Sequence, residues 1–179
     1  MLVNTIMNKQ TFIQNIIKNK DIIFAEYKDC RHRDIPLPDW EEEQQVHQDW
    51  RALPLWWMHK PCKPVQKSLP ITTRLLTEGP GHRATAWVRL LPNSKTPSHS
   101  HPDWGSKIIL HLPMIVPEGD VGFWVEGNVH KWKVGELFAF KSSQEHYGFN
   151  NTNETRVMLV MEFDDTWEKT LRPYMTVTP

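Results

Sequence analysis

From residue 71 onward the chain breaks into seven short runs rich in β-branched and aromatic residues: "ITTRLL", "ATAWVRLL", "KIILHLPMIV", "VGFWV", "VHKWKV", "ELFAF" and "RVMLVMEF". Turn-forming clusters separate them, among them "EGPG", "LPNSKTP", "PEGD", "EGN" and "NNTNET". Strands spaced about ten residues apart leave no room for crossover helices, so these runs predict antiparallel pairing in an all-β barrel or sandwich rather than alternating β and α units. Residues at the strand ends and in the connecting loops are then the ones placed to form a site, because small antiparallel barrels bind ligands in the mouth.

The region before the strands has a different character. In "TFIQNIIKNKDIIFAEY", Phe12, Ile13, Ile16 and Ile17 share one helical stripe, and Ile22, Ile23 and Phe24 form a second apolar cluster. The pattern predicts a short amphipathic helix leading into an extended piece. A second helix is expected at "LPDWEEEQQVHQDW", with Asp39 as N-cap, Glu42 three residues later, and Trp40 and Val46 facing inward. At 179 residues the chain suits a single structural domain, with residues 1–47 packing against a barrel built from residues 48–179.

Charge and cysteine usage exclude several classes of partner. Lys plus Arg and Asp plus Glu both number 21, so no long-range field draws nucleic acid or an anionic membrane. No run of eighteen apolar residues and no small-residue cleavage site occur, which argues against a membrane span and a signal peptide. Cys30 and Cys62 make neither a CxxC pair nor a disulfide framework, so the expected compartment is reducing and cytoplasmic. Nine Trp residues are expected mainly to fill the barrel and its coverings.

The chemistry concentrates in "TPSHSHPDWGSKIILHLP", which holds three histidines and an aspartate between His99 and His111. His101 and Asp103 form a His-x-Asp step that presents an imidazole and a carboxylate to one metal. His146, just past "ELFAF", is the candidate for a third ligand returned by the intervening hairpins. Two imidazoles and one carboxylate leave three open positions, as in a non-haem Fe(II) oxygenase. Arg156 opens the strand "RVMLVMEF" ten residues after His146. A guanidinium there can hold one end of a dicarboxylate through a bidentate pair while the metal holds the other. That outline fits 2-oxoglutarate.

From "DWRALPLWW" through "WVRLLPNSKTPSHSHPDW", "HLPMIVP" and "WKVGELFAFKSSQEHYGFNNTNETRVMLVMEF", about residues 48 to 165, the sequence resembles the aspartyl/asparaginyl β-hydroxylases. The specific features are the W-x-x-G-E segment at Trp132 to Glu136, the S-x-x-H at Ser143 to His146, the Asn150-Asn151 turn and the strand arginine. The resemblance implies a double-stranded β-helix, a jelly-roll or cupin-like barrel with N-terminal helices, and an Fe(II)- and 2-oxoglutarate-dependent dioxygenase that hydroxylates a C–H bond and releases succinate and CO2. It implies that His146 binds the metal, that Arg156 grips the distal carboxylate of 2-oxoglutarate, and that His111 contacts the cosubstrate's other end.

Two positions depart from the family pattern. Counting back from His111, the first metal histidine falls near Ser100, so either His99 or His101 could be the ligand; His101 is preferred because it brings Asp103 as the third. The family often carries an arginine two residues before His111, and Ile109 stands there, which leaves Lys107 as a substitute on the same strand face. Trp104, Trp124 and Phe140 are candidate apolar walls.

A cupin is the rival class. The "HSH" step and the spacing of Gly135, His146 and Asn150 echo its motifs, but Gly105 and Ser106 occupy the place of the expected glutamate. A metal-free ligand-binding barrel is the third reading. The substrate, whether a protein side chain, a small molecule or a lipid, leaves no readable code. Lys63, Lys67, Arg74, His82 and Arg83 read as a solvated basic face.

Overall fold

The structure is a computed structural model, and residues 7–30, 50–102 and 107–175 are described. The helix expected at Asp39 lies outside them, as do Asp103 and Trp104. Two antiparallel sheets face each other. The larger has six strands in the order β2-β1-β3-β10-β5-β8, formed by β1 (Trp50–Trp57), β2 (Lys60–Pro61), β3 (Ala84–Leu90), β5 (Lys107–Ile115), β8 (Phe138–Lys141) and β10 (Arg156–Asp164). The smaller has the order β4-β9-β6-β7, from β4 (Ser94–Lys95), β6 (Val121–Val125), β7 (Asn128–His130) and β9 (His146–Asn150). From β3 to β10 the chain crosses repeatedly between the sheets, and this alternation makes the double-stranded β-helix that the family resemblance implies.

Strand alternation divides the larger sheet into two faces. Outward, Leu53, Leu55, Trp87, Val157, Leu159, Met161 and Phe163 join one buried cluster. Its cover is helical: α1 (Lys9–Lys18) contributes Phe12, Ile13 and Ile16, and α2 (Lys20–Asp29) contributes Ile23 and Tyr27. Tyr27 stacks on Trp87 at 4.1 Å, and Phe12 meets Trp167 edge-on at 5.8 Å. Inward, Ile109, Phe138, Phe140 and Met158 meet Val121, Phe123, Val125 and Trp132 in a second, smaller cluster.

Three sequence expectations change here. The cluster Ile22 to Phe24 is helical in α2, not extended, because α1 ends at Asn19 and a second helix restarts at once against the same sheet. "ITTRLL" is not a strand: with Pro70 it forms helix α4 (Pro70–Thr77), which follows the short helix α3 (Lys63–Ser68). Its first amides are capped from afar, since both carboxylate oxygens of Glu26 accept from Ile71 and Thr72 backbone N–H at 2.6 and 2.8 Å. Proline at the first helical position and an anion at the N-terminus outweigh the β-branched residues. In "VHKWKV" only Val129 and His130 belong to a strand, and Trp132 turns inward from the segment that follows.

The turn motifs do positional work. Gly135 takes φ +78° and its N–H donates to Pro113 O, a left-handed conformation that suits glycine. Asn150, fully buried, donates from Nδ2 to the carbonyls of Leu90, Leu91 and Glu154, tying the end of β9 to the end of β3 just before β10 begins. Arg156 therefore starts its strand from a fixed point.

Candidate metal and anion site

Three imidazoles converge at one side of the cleft between the sheets. A ligand atom from each of His99, His101 and His146 lies within 4.8 Å of the others, a spacing at which all three could hold one metal ion. Backbone pairing explains the convergence. His99 and His146 exchange N–H···O bonds of 3.1 and 2.9 Å across an isolated β-bridge, and the His101 N–H donates to Ser142 O at 2.9 Å. Residues two apart in extended chain point the same way, so His99 and His101 both face His146.

The ring nitrogens are oriented for ligation. His99 Nδ1 lies 2.8 Å from Pro97 O, and His146 Nδ1 lies 2.7 Å from Gln144 O. Each Nδ1 must carry the proton to donate to a carbonyl, which makes Nε2 the basic nitrogen of each ring. Burial pushes the His146 pKa down to about 4, and burial followed by the neighbouring His99 and Arg83 pushes His101 to about 4. Both are neutral imidazoles at pH 7, the form that binds metal.

A cavity of about 480 Å³ opens from the histidines and runs between the sheets, within the usual size range of small-molecule sites, roughly 300 to 1,000 Å³. At one end β10 places Arg156, 4% exposed. Its guanidinium lies 4.5 Å from the Trp132 ring centre, Nη1 approaches Met158 Sδ at 2.7 Å, and Nε is buried without a hydrogen-bond partner. Among the described residues no carboxylate pairs with it. Burial lowers its pKa to about 9, and it stays charged at neutral pH. His111 Nδ1 and Trp132 Nε1 are also buried without partners. Burial, then Arg156, His146 and His130, push the His111 pKa well below its ordinary value. Unpaired buried polar groups cost stability unless a ligand satisfies them, and a buried cation beside two orphaned ring nitrogens is an arrangement that can receive an anion.

The profile of the aspartyl/asparaginyl β-hydroxylases matches residues 18–166. The chain belongs to that family. An ornithine lipid ester-linked acyl 2-hydroxylase from Rhizobium tropici is 30% identical over 99 residues, 54% of this chain and 35% of the relative. The match thus spans about a third of that relative's length. Partial structural likenesses include a DMSP lyase from Ruegeria pomeroyi (TM-score 0.45, 16% identity, covering 78% of this chain and 54% of that one). A cupin domain of a transcriptional regulator from Enterobacter cloacae is similar at TM-score 0.44 and 12% identity, covering 65% of this chain and 97% of the other.

Against the family pattern, the structure brings His101, His146, His111 and Arg156 into one cavity. It adds His99, which the sequence offers only as an alternative to His101; the period of two in "HSH" is the signal that both can face one point. Lys107 stands half-buried at the first position of β5, paired in register with Asp164, and does not line the cavity, whereas Ile109 does. Phe140 is a cavity wall, its ring 4.7 Å from His146, but Trp124 stacks outside on Tyr147 at 5.2 Å. His82 and Arg83 do not form an exposed basic face: His82 is 8% exposed and the Arg83 side chain is 14% exposed in an ion pair with Glu162. No helix among the described residues is long and apolar enough to cross a membrane.

Proposed function

We propose that the protein is an Fe(II)- and 2-oxoglutarate-dependent dioxygenase that hydroxylates a C–H bond on an apolar chain. The observation that carries the reading is Arg156, a buried guanidinium with no acidic partner among the described residues, in the same cavity as three convergent imidazoles. The donor set fits both groups. His99, His101 and His146 would hold the iron, and imidazole is a suitable ligand for it. Asp103, the carboxylate chosen from the sequence, lies outside the described residues. Arg156 would bind the distal carboxylate of 2-oxoglutarate, with Trp132 fixing the guanidinium plane and His111 as a polar neighbour.

When bound, iron and 2-oxoglutarate supply the oxidant, with succinate and CO2 as by-products. The chain's own part is placement and dryness. The backbone carbonyls of Pro97 and Gln144 hold two rings in one tautomer, Phe123 and Phe140 exclude water beside His146, and Arg156 orients the oxo acid.

The rest of the cavity suits an apolar substrate. Trp50, Ala52, Trp57, Ala86, Val88 and Val160 also line it. The Rhizobium relative acts on a lipid acyl chain by its name, and an acyl or alkyl chain is the substrate class proposed here. Iron-loaded protein is expected to convert 2-oxoglutarate to succinate in an oxygen-dependent manner, with stimulation by a long-chain amide or ester. Absence of succinate under these conditions would refute the oxygenase assignment.

A further inference from the structure

We infer that Glu162 is the residue that anchors the substrate, through an oxygen that accepts a hydrogen bond from a hydroxyl, amide or ammonium group near the carbon to be hydroxylated. The inference rests on the reading of the cavity as the site of an apolar chain. The inward residues of β10 are Arg156, Met158, Val160 and Glu162. Arg156 and Glu162 are six positions apart on one strand, about 20 Å at 3.3 Å per residue, too far for a five-carbon dicarboxylate held at Arg156 to reach. Glu162 is also not among the residues whose ligand atoms converge with the histidines, so the proposed metal and cosubstrate leave it unused.

Its surroundings single it out. Across β3 its register partner is Ala84, and across β5 it is Ile109, whose own partner on β8 is Phe140. Two strand spacings, about 10 Å, separate Glu162 from Phe140, and Phe140 touches His146. Glu162 thus lines the same cavity as the histidines. The side chain is 7% exposed. Oε1 accepts from Arg83 Nη1 at 2.5 Å, and the Arg83 N–H donates to Glu162 O at 2.8 Å. Oε2 makes no hydrogen bond with the described residues. With Oε1 engaged by Arg83, Oε2 is an acceptor without donor capacity on the cavity face.

Burying an ion pair costs desolvation that apolar side chains of similar volume would avoid. A substrate donor restores that cost, and a substrate lacking one leaves the carboxylate oxygen unpaired, which is the strong form of discrimination.

The test is calorimetric binding of decanol, decylammonium and methyl decyl ether to the full chain. Three proteins are compared: wild type, the double substitution Glu162→Met/Arg83→Met, and Ala86→Phe. The double variant removes both charges of the pair, and circular dichroism verifies its fold. Decanol and decylammonium are expected to bind wild type at least about tenfold more tightly than the ether, as befits a charge-assisted hydrogen bond. In the double variant the three should fall within about threefold of one another, and Ala86→Phe should abolish binding of all three by filling the cavity. Equal affinities in wild type, blocked by Ala86→Phe, would overturn the role of Glu162 and leave the apolar-chain reading intact. No binding, or binding indifferent to Ala86→Phe, would overturn both.

Discussion

The two faces of β10 belong to the same nine residues and do opposite things. Val157, Leu159, Met161 and Phe163 point outward and are all at most 4% exposed beneath α1 and α2. Arg156, Met158, Val160 and Glu162 point inward, where two of the four are charged and one has an orphaned nitrogen. The outward face is where apolar burial stabilises the fold. The inward face carries buried charge that weakens the fold unless a ligand answers it. Alternation along a strand lets one segment serve both demands without compromise between neighbours.

The comparison can be broken by substitutions on either face. The largest expected effect is on the inner side: His146→Ala should weaken Fe(II) binding by more than about 100-fold, beyond the 10- to 100-fold typical of losing an outer-shell partner. The melting temperature of the metal-free protein should barely move. Leu159→Ala should do the reverse, destabilising by about 2 to 5 kcal/mol in urea unfolding while Fe(II) affinity in the folded protein stays the same. If both substitutions affected stability and metal affinity alike, the division between faces would be wrong.

The ligand set is sharpened by a pair of further substitutions. His99→Ala is expected to lose Fe(II) binding in parallel with His146→Ala, and Asp103→Ala to retain it. The opposite pattern would restore the histidine–carboxylate arrangement read from the sequence.

The most gradual effect is the pH dependence of stability. His82, whose two ring nitrogens are buried without partners, has its pKa lowered from 6.5 to about 4, by burial first and by His59 second. His146 is lowered likewise. A depressed folded value means that the unfolded chain binds more protons. Stability is fully present above pH 6.5 and is lost as pH falls towards and through about 4, with a slope of up to about 1.4 kcal/mol per pH unit for each group. His82→Phe should flatten that slope in urea titrations at stepped pH. An unchanged slope would show that His82 is not a neutral buried ring.

Much of this was legible in the sequence, for reasons that also mark where legibility stops. Strands β3, β5, β6, β8 and β10 announce themselves because β-branched and aromatic residues run between turn clusters. β1 carries Pro54 and a bulge between Pro54 and Trp56, and β9 reads "HYGFN", so neither shows the pattern. Helix α4 was misread because its capping carboxylate comes from Glu26, 45 residues away, which no local window contains. At the site, His146, Arg156 and His111 stood out by motif and spacing. Glu162 did not: at the end of "RVMLVMEF" it looks like a solvent-facing charge closing a strand, and only the pairing of β10 with β3 and β5 shows that it faces the cavity.

The central claim is that the histidine trio and Arg156 form one site for iron and an oxo acid. The most direct measurement is an anaerobic titration of the metal-free protein with Fe(II) and then 2-oxoglutarate, followed by visible absorption. A charge-transfer band should appear on adding 2-oxoglutarate and should fail to appear in Arg156→Met at the same concentration. That variant should be at least as stable as wild type, because it removes an unpaired buried charge. Iron binding with no band in wild type would contradict the claim and favour a cupin-type metal enzyme that uses no oxo acid.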